Sequence, residues 1–186
     1  MTKTRSHTAL LALCEGALMI ALAQLLSYLK FYELPNGGSI TLGLTPLFLY
    51  YARWGFGPSM LASAAYAVLQ LLLDGAYAWG WQSILLDYLV AFAAMGLGGL
   101  CWKMKGGVYW GALVATIARF IFNYIAGATV WADSMPENFF GMTMTTPWFY
   151  SAIYNGLYGV LNLALACIVI FLLQRTALRR YIAPAR

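Results

Sequence analysis

The chain has 186 residues, of which 62% are hydrophobic and 9% are charged, and its formal net charge is +5. Soluble domains carry about 25% charged residues, so this composition excludes a soluble enzyme, a disordered protein and a coiled coil. A small integral membrane protein remains. Since each helical span needs about 20 residues, six spans would use about 120 residues and leave only short loops. We therefore expect one transmembrane domain covering residues 1–186.

Apolar runs separated by polar or Gly/Pro-containing stretches predict six membrane-spanning helices. In chain order they cover residues 8–29, 40–52, 57–73, 83–102, 107–131 and 148–174. The second run is short, which predicts a tilted or partly re-entrant helix. The first run is longer than the 7–15 apolar residues of a typical signal peptide, so it predicts a first helix rather than a cleaved leader.

The basic residues predict how these helices are oriented. With both termini in the cytoplasm, nine of the eleven Lys and Arg residues lie on the inner side, whereas Lys30 lies outside and Arg119 lies within a span. The inner set is Lys3, Arg5, Arg53, Lys103, Lys105, Arg175, Arg179, Arg180 and Arg186. Because cytoplasmic loops are rich in Lys and Arg, this distribution favours six spans over five. Contact with anionic lipid accounts for the positive charge, and we expect no nucleic-acid partner.

Few residues are available for metal, cofactor or enzyme chemistry. Cys14, Cys101 and Cys167 lie in apolar runs without a CxxC pair, and His7 is the one histidine. We therefore expect no metal site and no cofactor. A hydrolase needs a nucleophile paired with a base, and His7 lies outside the spans, which disfavours a membrane enzyme. The sequence also lacks a GxxxxGK[ST] phosphate loop, so we expect any ATP-driven step to depend on other subunits.

Polar and aromatic residues converge on the outer half of the predicted fourth, fifth and sixth helices and on the outer loop before the fourth. Because polar groups inside a bilayer are costly, this placement predicts a ligand cavity that opens to the outside. The converging residues are Tyr77, Asp87, Tyr88, Asn123, Gly127, Trp131, Tyr150, Tyr154 and Asn155. A lone carboxylate favours a cation, aromatic rings bind cations through their faces, and amides both donate and accept hydrogen bonds. Gly127 would leave room for a planar ring. The alternative is that Asp87 pairs with a neighbouring helix.

Other polar and small residues indicate helix packing. Arg119 lies deeper than the predicted cavity, and we expect it to pair with Glu15 on the first helix. Ala17 and Ala21 form a small-xxx-small pair, which favours close approach either within this chain or to a partner membrane protein. The glycines at 96, 98 and 99 predict close packing of the fourth helix.

Five short motifs occur in order over nearly the whole chain. They are Gly37-Gly38-Ser39-Ile40-Thr41 followed by Pro46, Arg53-Trp54-Gly55, Leu86-Asp87-Tyr88-Leu89-Val90-Ala91, Phe122-Asn123-Tyr124-Ile125-Ala126-Gly127 with Trp131, and Tyr150 with Asn155-Gly156. In this set and spacing, the chain resembles the thiamine-specific substrate-binding (S) subunits of energy-coupling factor (ECF) transporters, which take up vitamins in bacteria.

The resemblance implies an all-α integral membrane protein, a compact bundle of six transmembrane helices in the bacterial plasma membrane with both termini cytoplasmic. It implies that thiamine is captured outside and delivered inward. ATP would be hydrolysed by two ATPases that act through a transmembrane T component, and together these form the coupling module. The alternatives are a stand-alone carrier driven by an ion gradient, and an S subunit for a related cationic or pyrimidine vitamin precursor.

The resemblance also implies roles for particular residues. It implies that Trp131 stacks on a ring of thiamine. The residues that it implies to bind thiamine are Asp87, Tyr88, Trp131, Asn123, Tyr150, Asn155, Tyr77 and Gly37. The residues that it implies to contact the coupling module are Ala17 and Ala21. Better-known family members carry Glu at the position of Asp87, His at that of Asn123 and Trp at that of Gly37, so this chain departs from the family at three of its predicted contacts.

Overall fold

A computed structural model of the chain describes residues 5–74, 78 and 80–185. Its helices are α1 (Arg5–Ser27), α2 (Thr45–Trp54), α3 (Phe56–Asp74), α4 (Gly80–Ser83), α5 (Ala91–Ala94), α6 (Gly107–Thr129), α7 (Pro147–Gln174) and α8 (Arg179–Ile182). A π-helical segment, Ile84–Val90, joins α4 to α5, and a 3-10 segment, Met95–Cys101, follows α5. Together, α4 to the 3-10 segment form one continuous rod, the fourth span.

Five helical stretches are long and apolar enough to cross a membrane. They are Ser6–Ser27, Phe56–Asp74, Gly80–Cys101, Gly107–Thr129 and Pro147–Gln174. Their positions match five of the six predicted spans to within a few residues. The protein is therefore an all-α, multi-pass membrane protein.

The second predicted span forms a short helix, as expected, but this helix begins later than predicted. The run at 40–52 forms a helix only from Thr45 onward, and α2 has 10 residues, or about 15 Å, half the thickness of a hydrocarbon core. Leu47 and Tyr51 are fully buried, so α2 lies inside the bundle, surrounded by protein. Non-helical backbone is tolerated at membrane depth where it is enclosed by protein or lines a cavity. The chain before α2 meets this condition, since Thr41, Gly43 and Leu44 line a cavity.

Two short antiparallel hairpins lie at the same end of the bundle, which we call the hairpin end. Strands β1 (Tyr32–Glu33) and β2 (Ser39–Ile40) pair between α1 and α2. Strands β3 (Asn138–Phe139) and β4 (Met142–Thr143) pair between α6 and α7. The chain termini belong to the opposite end, so the hairpin end is the one that the charge distribution predicts to face outside.

Close packing of the fourth span depends on glycine, as the sequence predicts. A Cβ atom at Gly98 would collide with the backbone oxygen of Gly111 on α6, and one at Gly111 would lie 2.8 Å from the oxygen of Gly98. On the other side, a Cβ atom at Gly96 would lie 2.7 Å from the Cα atom of Met60 on α3. Backbone therefore packs directly on backbone at both faces of the fourth span.

The expected pairing of Glu15 with Arg119 is wrong. Glu15 binds Arg53 instead, with its Oε2 atom 2.6 Å from Nε and its Oε1 atom 3.0 Å from Nη2, and Trp54 Nε1 donates to the same Oε2 at 2.6 Å. The physical reason is the shortness of α2, whose C-terminal end lies inside the bundle at the depth of Glu15. This arrangement places the Arg53-Trp54 pair against α1.

The small residues of α1 face two directions. Ala12, Gly16 and Ala23 are buried, whereas Ala17 and Ala21 are exposed. The alternative in which Ala17 and Ala21 pack within this chain is therefore wrong for the part of the chain that the structure describes. Their face of the helix is open to lipid or to a partner.

Candidate ligand cavity

A cavity of about 190 Å³ opens at the hairpin end, between α3, the fourth span, α6, α7 and the segment before α2. Since one water molecule occupies about 30 Å³ in the liquid, the cavity has room for several waters or for a small organic molecule. Seven of the eight predicted binding residues line it: Gly37, Asp87, Tyr88, Asn123, Trp131, Tyr150 and Asn155. The eighth, Tyr77, lies outside the described residues. Their role in binding stays a prediction.

Asp87 lies in the π-helical segment Ile84–Val90, a widened turn of a kind that is frequent at functional sites. Its Oδ2 atom accepts hydrogen bonds from Ser83 Oγ at 2.8 Å and Trp131 Nε1 at 2.9 Å. Both bonds end on the same oxygen, which leaves Oδ1 for a ligand. In the described part of the chain, the ion pairs are Lys30–Glu33 and Arg53–Glu15. The alternative in which Asp87 pairs with a neighbouring helix is thus met in part: the carboxylate is bonded to Trp131 at the end of α6, but it has no ion pair within the described residues.

Trp131 follows the C-terminal end of α6, where its N–H bonds back to Ala126 O at 3.2 Å. Its indole N–H donates to Asp87, so the ring is held at the hairpin-end side of the cavity. Tyr150 enters from α7 and is buried, with its ring centre 5.3 Å from that of Phe139 and 5.5 Å from that of Tyr154. Two aromatic residues, one bonded to Asp87 and one from α7, thus line the cavity with the carboxylate.

Gly127 serves a different purpose from the predicted one. A Cβ atom there would collide with Ser151 Oγ and lie 3.1 Å from Asn155 Nδ2. The missing side chain therefore allows α6 to approach α7. The side chains of Ser151 and Asn155 occupy the space next to Gly127 in which we expected a planar ring of the ligand.

A chain of buried hydrogen bonds connects α6 and α7 along the cavity wall. Asn123 Nδ2 donates to Tyr158 Oη at 2.8 Å, and Tyr158 Oη donates to Asn155 Oδ1 at 2.7 Å. Asn155 Nδ2 in turn contacts the backbone and hydroxyl oxygens of Ser151 at 3.1 and 3.0 Å. Asn123 Oδ1 is buried and has no hydrogen-bond partner among the described residues.

Two side chains of α7 hold the segment that carries Gly37. Tyr154 Oη accepts from Gly38 N at 2.7 Å and donates to Pro35 O. Asn162 Nδ2 donates to Ser39 O at 2.9 Å, and its Oδ1 accepts from Thr41 N at 2.7 Å. We call residues 35–41 the loop-one segment. It lines the cavity, and the hydrogen bonds that join it to these two side chains of α7 are all made by its backbone.

Arg119 is the cavity residue that sequence reasoning placed wrongly. It lines the cavity, and its Cζ atom lies 4.3 Å from the ring centre of Phe92 and 5.8 Å from that of Tyr158. The sequence does indicate that Arg119 lines the cavity, because it lies four residues before Asn123 and residues four apart on a helix share one face. Among the described residues, no group of three His, Cys, Asp or Glu side chains is arranged to hold a metal ion.

Comparison with known proteins identifies the family. Residues 13–182 match the model of a family described as thiamine transporter protein (Thia_YuaJ). The thiamine transporter ThiT of Bacillus subtilis (strain 168) is 31% identical, over 91% of this chain and 93% of the relative. The thiamine transporter ThiT of Lacticaseibacillus paracasei is 26% identical, over 96% and 94%.

A solved structure of ThiT from Listeria monocytogenes shares the fold, with a TM-score of 0.82 at 22% identity, over 95% of this chain and all of that one. The curated relatives are named as transporters, which are not enzymes. The chain is thus a multi-pass bacterial membrane transport protein, and it belongs to the Thia_YuaJ family of thiamine transporter proteins.

Proposed function

We propose that this protein captures thiamine from outside in the cavity at the hairpin end and delivers it inward as the substrate-binding subunit of an ATP-driven ECF transporter. Thiamine carries a permanently positive thiazolium ring joined to an aminopyrimidine ring. The observation that carries the proposal is Asp87, a carboxylate that lines the cavity and has no ion-pair partner within the described part of the chain.

Electrostatics supports a cationic ligand at Asp87. Removing a carboxylate from water is costly unless it is paired, and its two hydrogen bonds from Ser83 and Trp131 offset part of that cost. A bound cation would form an ion pair with this carboxylate, which Arg119, although it lines the same cavity, does not form. Trp131 and Tyr150 line the same cavity, and a cation over an aromatic face gains about 0.5–2 kcal/mol.

The first test is a titration of the purified protein with thiamine, followed by tryptophan fluorescence. We expect saturable binding, and we expect Asp87→Asn to weaken it roughly 10- to 100-fold, because the amide keeps the shape of the side chain and removes its charge. Asp133→Asn is the matched control, since Asp133 is an exposed acid that does not line the cavity. If folded wild-type protein fails to bind thiamine, or if Asp87→Asn binds it unchanged, the proposal is wrong.

The coupling to ATP needs a separate test. Support for separate ATPase subunits comes from the sequence, which lacks a GxxxxGK[ST] loop, and from the exposed Ala17 and Ala21 on α1, which leave a smooth strip for a partner helix. In vesicles, uptake of labelled thiamine should require co-reconstituted T component and ATPases together with ATP. Uptake by this chain alone, driven by an ion gradient, would instead identify a stand-alone carrier.

A third experiment addresses the identity of the vitamin. The free aminopyrimidine precursor of thiamine lacks the thiazolium charge, so it should compete with thiamine only weakly if Asp87 recognises that charge. Competition at equal concentration would favour a precursor transporter.

A further inference from the structure

Among the described residues, four charged side chains line the cavity: Lys30, Asp74, Asp87 and Arg119. Lys30 is neutralised by Glu33, whose Oε1 atom lies 2.7 Å from its Nζ atom, and both side chains are partly exposed to water. The other three form no ion pair within the described part of the chain. Their charges sum to −1, which is equal and opposite to the one permanent charge of thiamine.

Asp74 is the second acid of the cavity, and it lies at the C-terminal end of α3. Tyr88 Oη, from the residue that follows Asp87, donates to the backbone oxygen of Asp74 at 3.0 Å. This bond attaches the end of α3 to the π-helical segment, so the two acids line one cavity from neighbouring elements. Gln24 Nε2 donates to Asp74 Oδ2 at 3.3 Å. Since an amide is neutral, this bond leaves the carboxylate its charge.

Arg119 supplies the opposing charge. Its guanidinium is always protonated, and its Cζ atom lies 4.3 Å from the ring centre of Phe92. Because charges in a partly buried site are screened less than charges in open water, Arg119 repels any cation that enters the same cavity. Asp87 alone would cancel this repulsion and leave the cavity without net charge. A second carboxylate is needed before the cavity attracts a cation.

We infer that Asp74 is a specificity-determining residue whose carboxylate gives the cavity its net negative charge, so that the site takes a singly charged cation in preference to a neutral molecule of the same shape. This inference rests on the proposed function and adds to it an acid on α3. Asp74 acts through the electric field of the cavity, which depends on the sum of the charges that line it, so it needs no direct contact with the ligand.

The test compares thiamine with its analogue in which a neutral thiophene ring replaces the thiazolium ring, which keeps the shape and removes the charge. The readout is the ratio of the two dissociation constants, analogue over thiamine, from titrations followed by tryptophan fluorescence. In Asp74→Asn, which keeps an acceptor for Gln24, we expect this ratio to fall roughly 3- to 30-fold, the effect of removing one charge several ångströms away in a partly buried site. A purely structural role for Asp74 would weaken both ligands equally and leave the ratio unchanged.

Arg119→Gln is the second variant of the test. Alone, it should raise the ratio, because it removes the charge that opposes a cation. Combined with Asp74→Asn, it restores the net charge of −1, and the ratio should return to within about threefold of the wild-type value. A structural defect at the end of α3 would not be repaired by a change on α6.

Asp133→Asn is the matched control. Asp133 is an exposed acid between α6 and α7 that does not line the cavity. Losing the same charge there should leave the ratio at the wild-type value, since charges in open water are strongly screened. If Asp74→Asn does not fold, Asp74→Ser serves instead, because a hydroxyl is also neutral and can also accept from Gln24.

The outcomes separate the two proposals. Equal affinity of wild-type protein for both ligands, an unchanged ratio in the folded Asp74 variant, or a double variant that keeps the ratio of Asp74→Asn would overturn this inference and leave the capture of thiamine intact. Absence of thiamine binding to wild-type protein would overturn the proposed function itself.

Discussion

Tyr154 connects the loop-one segment to the cavity at the level of a single side chain. Its hydroxyl bonds to the backbone at both Gly38 and Pro35, and its ring lines the cavity. A Cβ atom at Gly38 would lie 2.6 Å from that hydroxyl, so the glycine is required for this approach. One phenol therefore both walls the cavity and holds the segment that covers it.

Tyr154→Phe should accelerate release of thiamine. The variant keeps the ring and removes two hydrogen bonds to the loop-one segment, each worth about 0.5–1.5 kcal/mol. If opening of this segment precedes release, the dissociation rate should rise roughly 5- to 150-fold while the association rate changes little. Stopped-flow fluorescence with excess unlabelled competitor measures both rates.

The control for this effect is Tyr109→Phe. Tyr109 bonds through its hydroxyl to Gln174 at 3.0 Å near the opposite end of the bundle, so its loss should leave the release rate at the wild-type value. An unchanged release rate in Tyr154→Phe would show that the loop-one segment does not limit exit.

Several cavity residues, among them Asp87, Asn123 and Asn155, could be identified from the sequence because intramembrane polar side chains are rare and conspicuous. The hydrogen-bond partners of these residues could not be identified in this way. Trp131 is recognisable as an aromatic residue near an interface, yet its hydrogen bond to Asp87 depends on where α6 ends relative to the fourth span. Asn162 reads as a helix-packing amide, yet it binds the backbone of the loop-one segment. Such pairings depend on how the helices are arranged, which hydropathy alone does not specify.

The helices could be predicted from the sequence wherever an apolar run is long enough to cross a membrane. Five long helices match the apolar runs, whereas α2 is 10 residues long and the fourth span changes from α to π to 3-10 geometry. Hydropathy cannot distinguish a helix enclosed by protein from one exposed to lipid, since both are apolar. The widened turn at Ile84–Val90 also leaves no mark in composition, although it positions Asp87.

The close glycine contacts of the fourth span lead to a prediction about stability. Gly98→Ala should destabilise the protein by about 1–3 kcal/mol, the usual cost of forcing extra volume into a packed interior. The new methyl group would meet the backbone oxygen of Gly111 and lie 3.1 Å from the Cβ atom of Ala115. The measurement is the midpoint of thermal unfolding in detergent.

Gly57→Ala provides the matched comparison, because a Cβ atom at this position on α3 meets nothing within 4 Å. Its unfolding midpoint should stay the same or rise slightly, since alanine favours helix more than glycine does. Equal midpoints for Gly98→Ala and Gly57→Ala would contradict backbone contact between the fourth span and α6.

At the scale of the whole molecule, the cavity and the exposed strip of α1 are separate surfaces. The cavity lies at the hairpin end, lined by α3, the fourth span, α6 and α7, whereas Ala17 and Ala21 lie in the middle of α1 on its outward side. Leu18 and Leu25 are 70% and 64% exposed on the same helix. Ligand capture and partner docking should therefore be separable by mutation.

Ala21→Trp tests this separation. A large side chain on the exposed strip would prevent a partner helix from approaching closely, because such contacts depend on small residues. We expect thiamine affinity within about twofold of wild type, since no cavity wall changes, together with loss of ATP-dependent uptake in vesicles that contain the coupling subunits. Val160→Trp, which places the same large side chain at an exposed position on α7 away from the strip, should retain most uptake. Full transport by Ala21→Trp would exclude the strip as the docking surface, and loss of thiamine binding would show instead that α1 shapes the cavity.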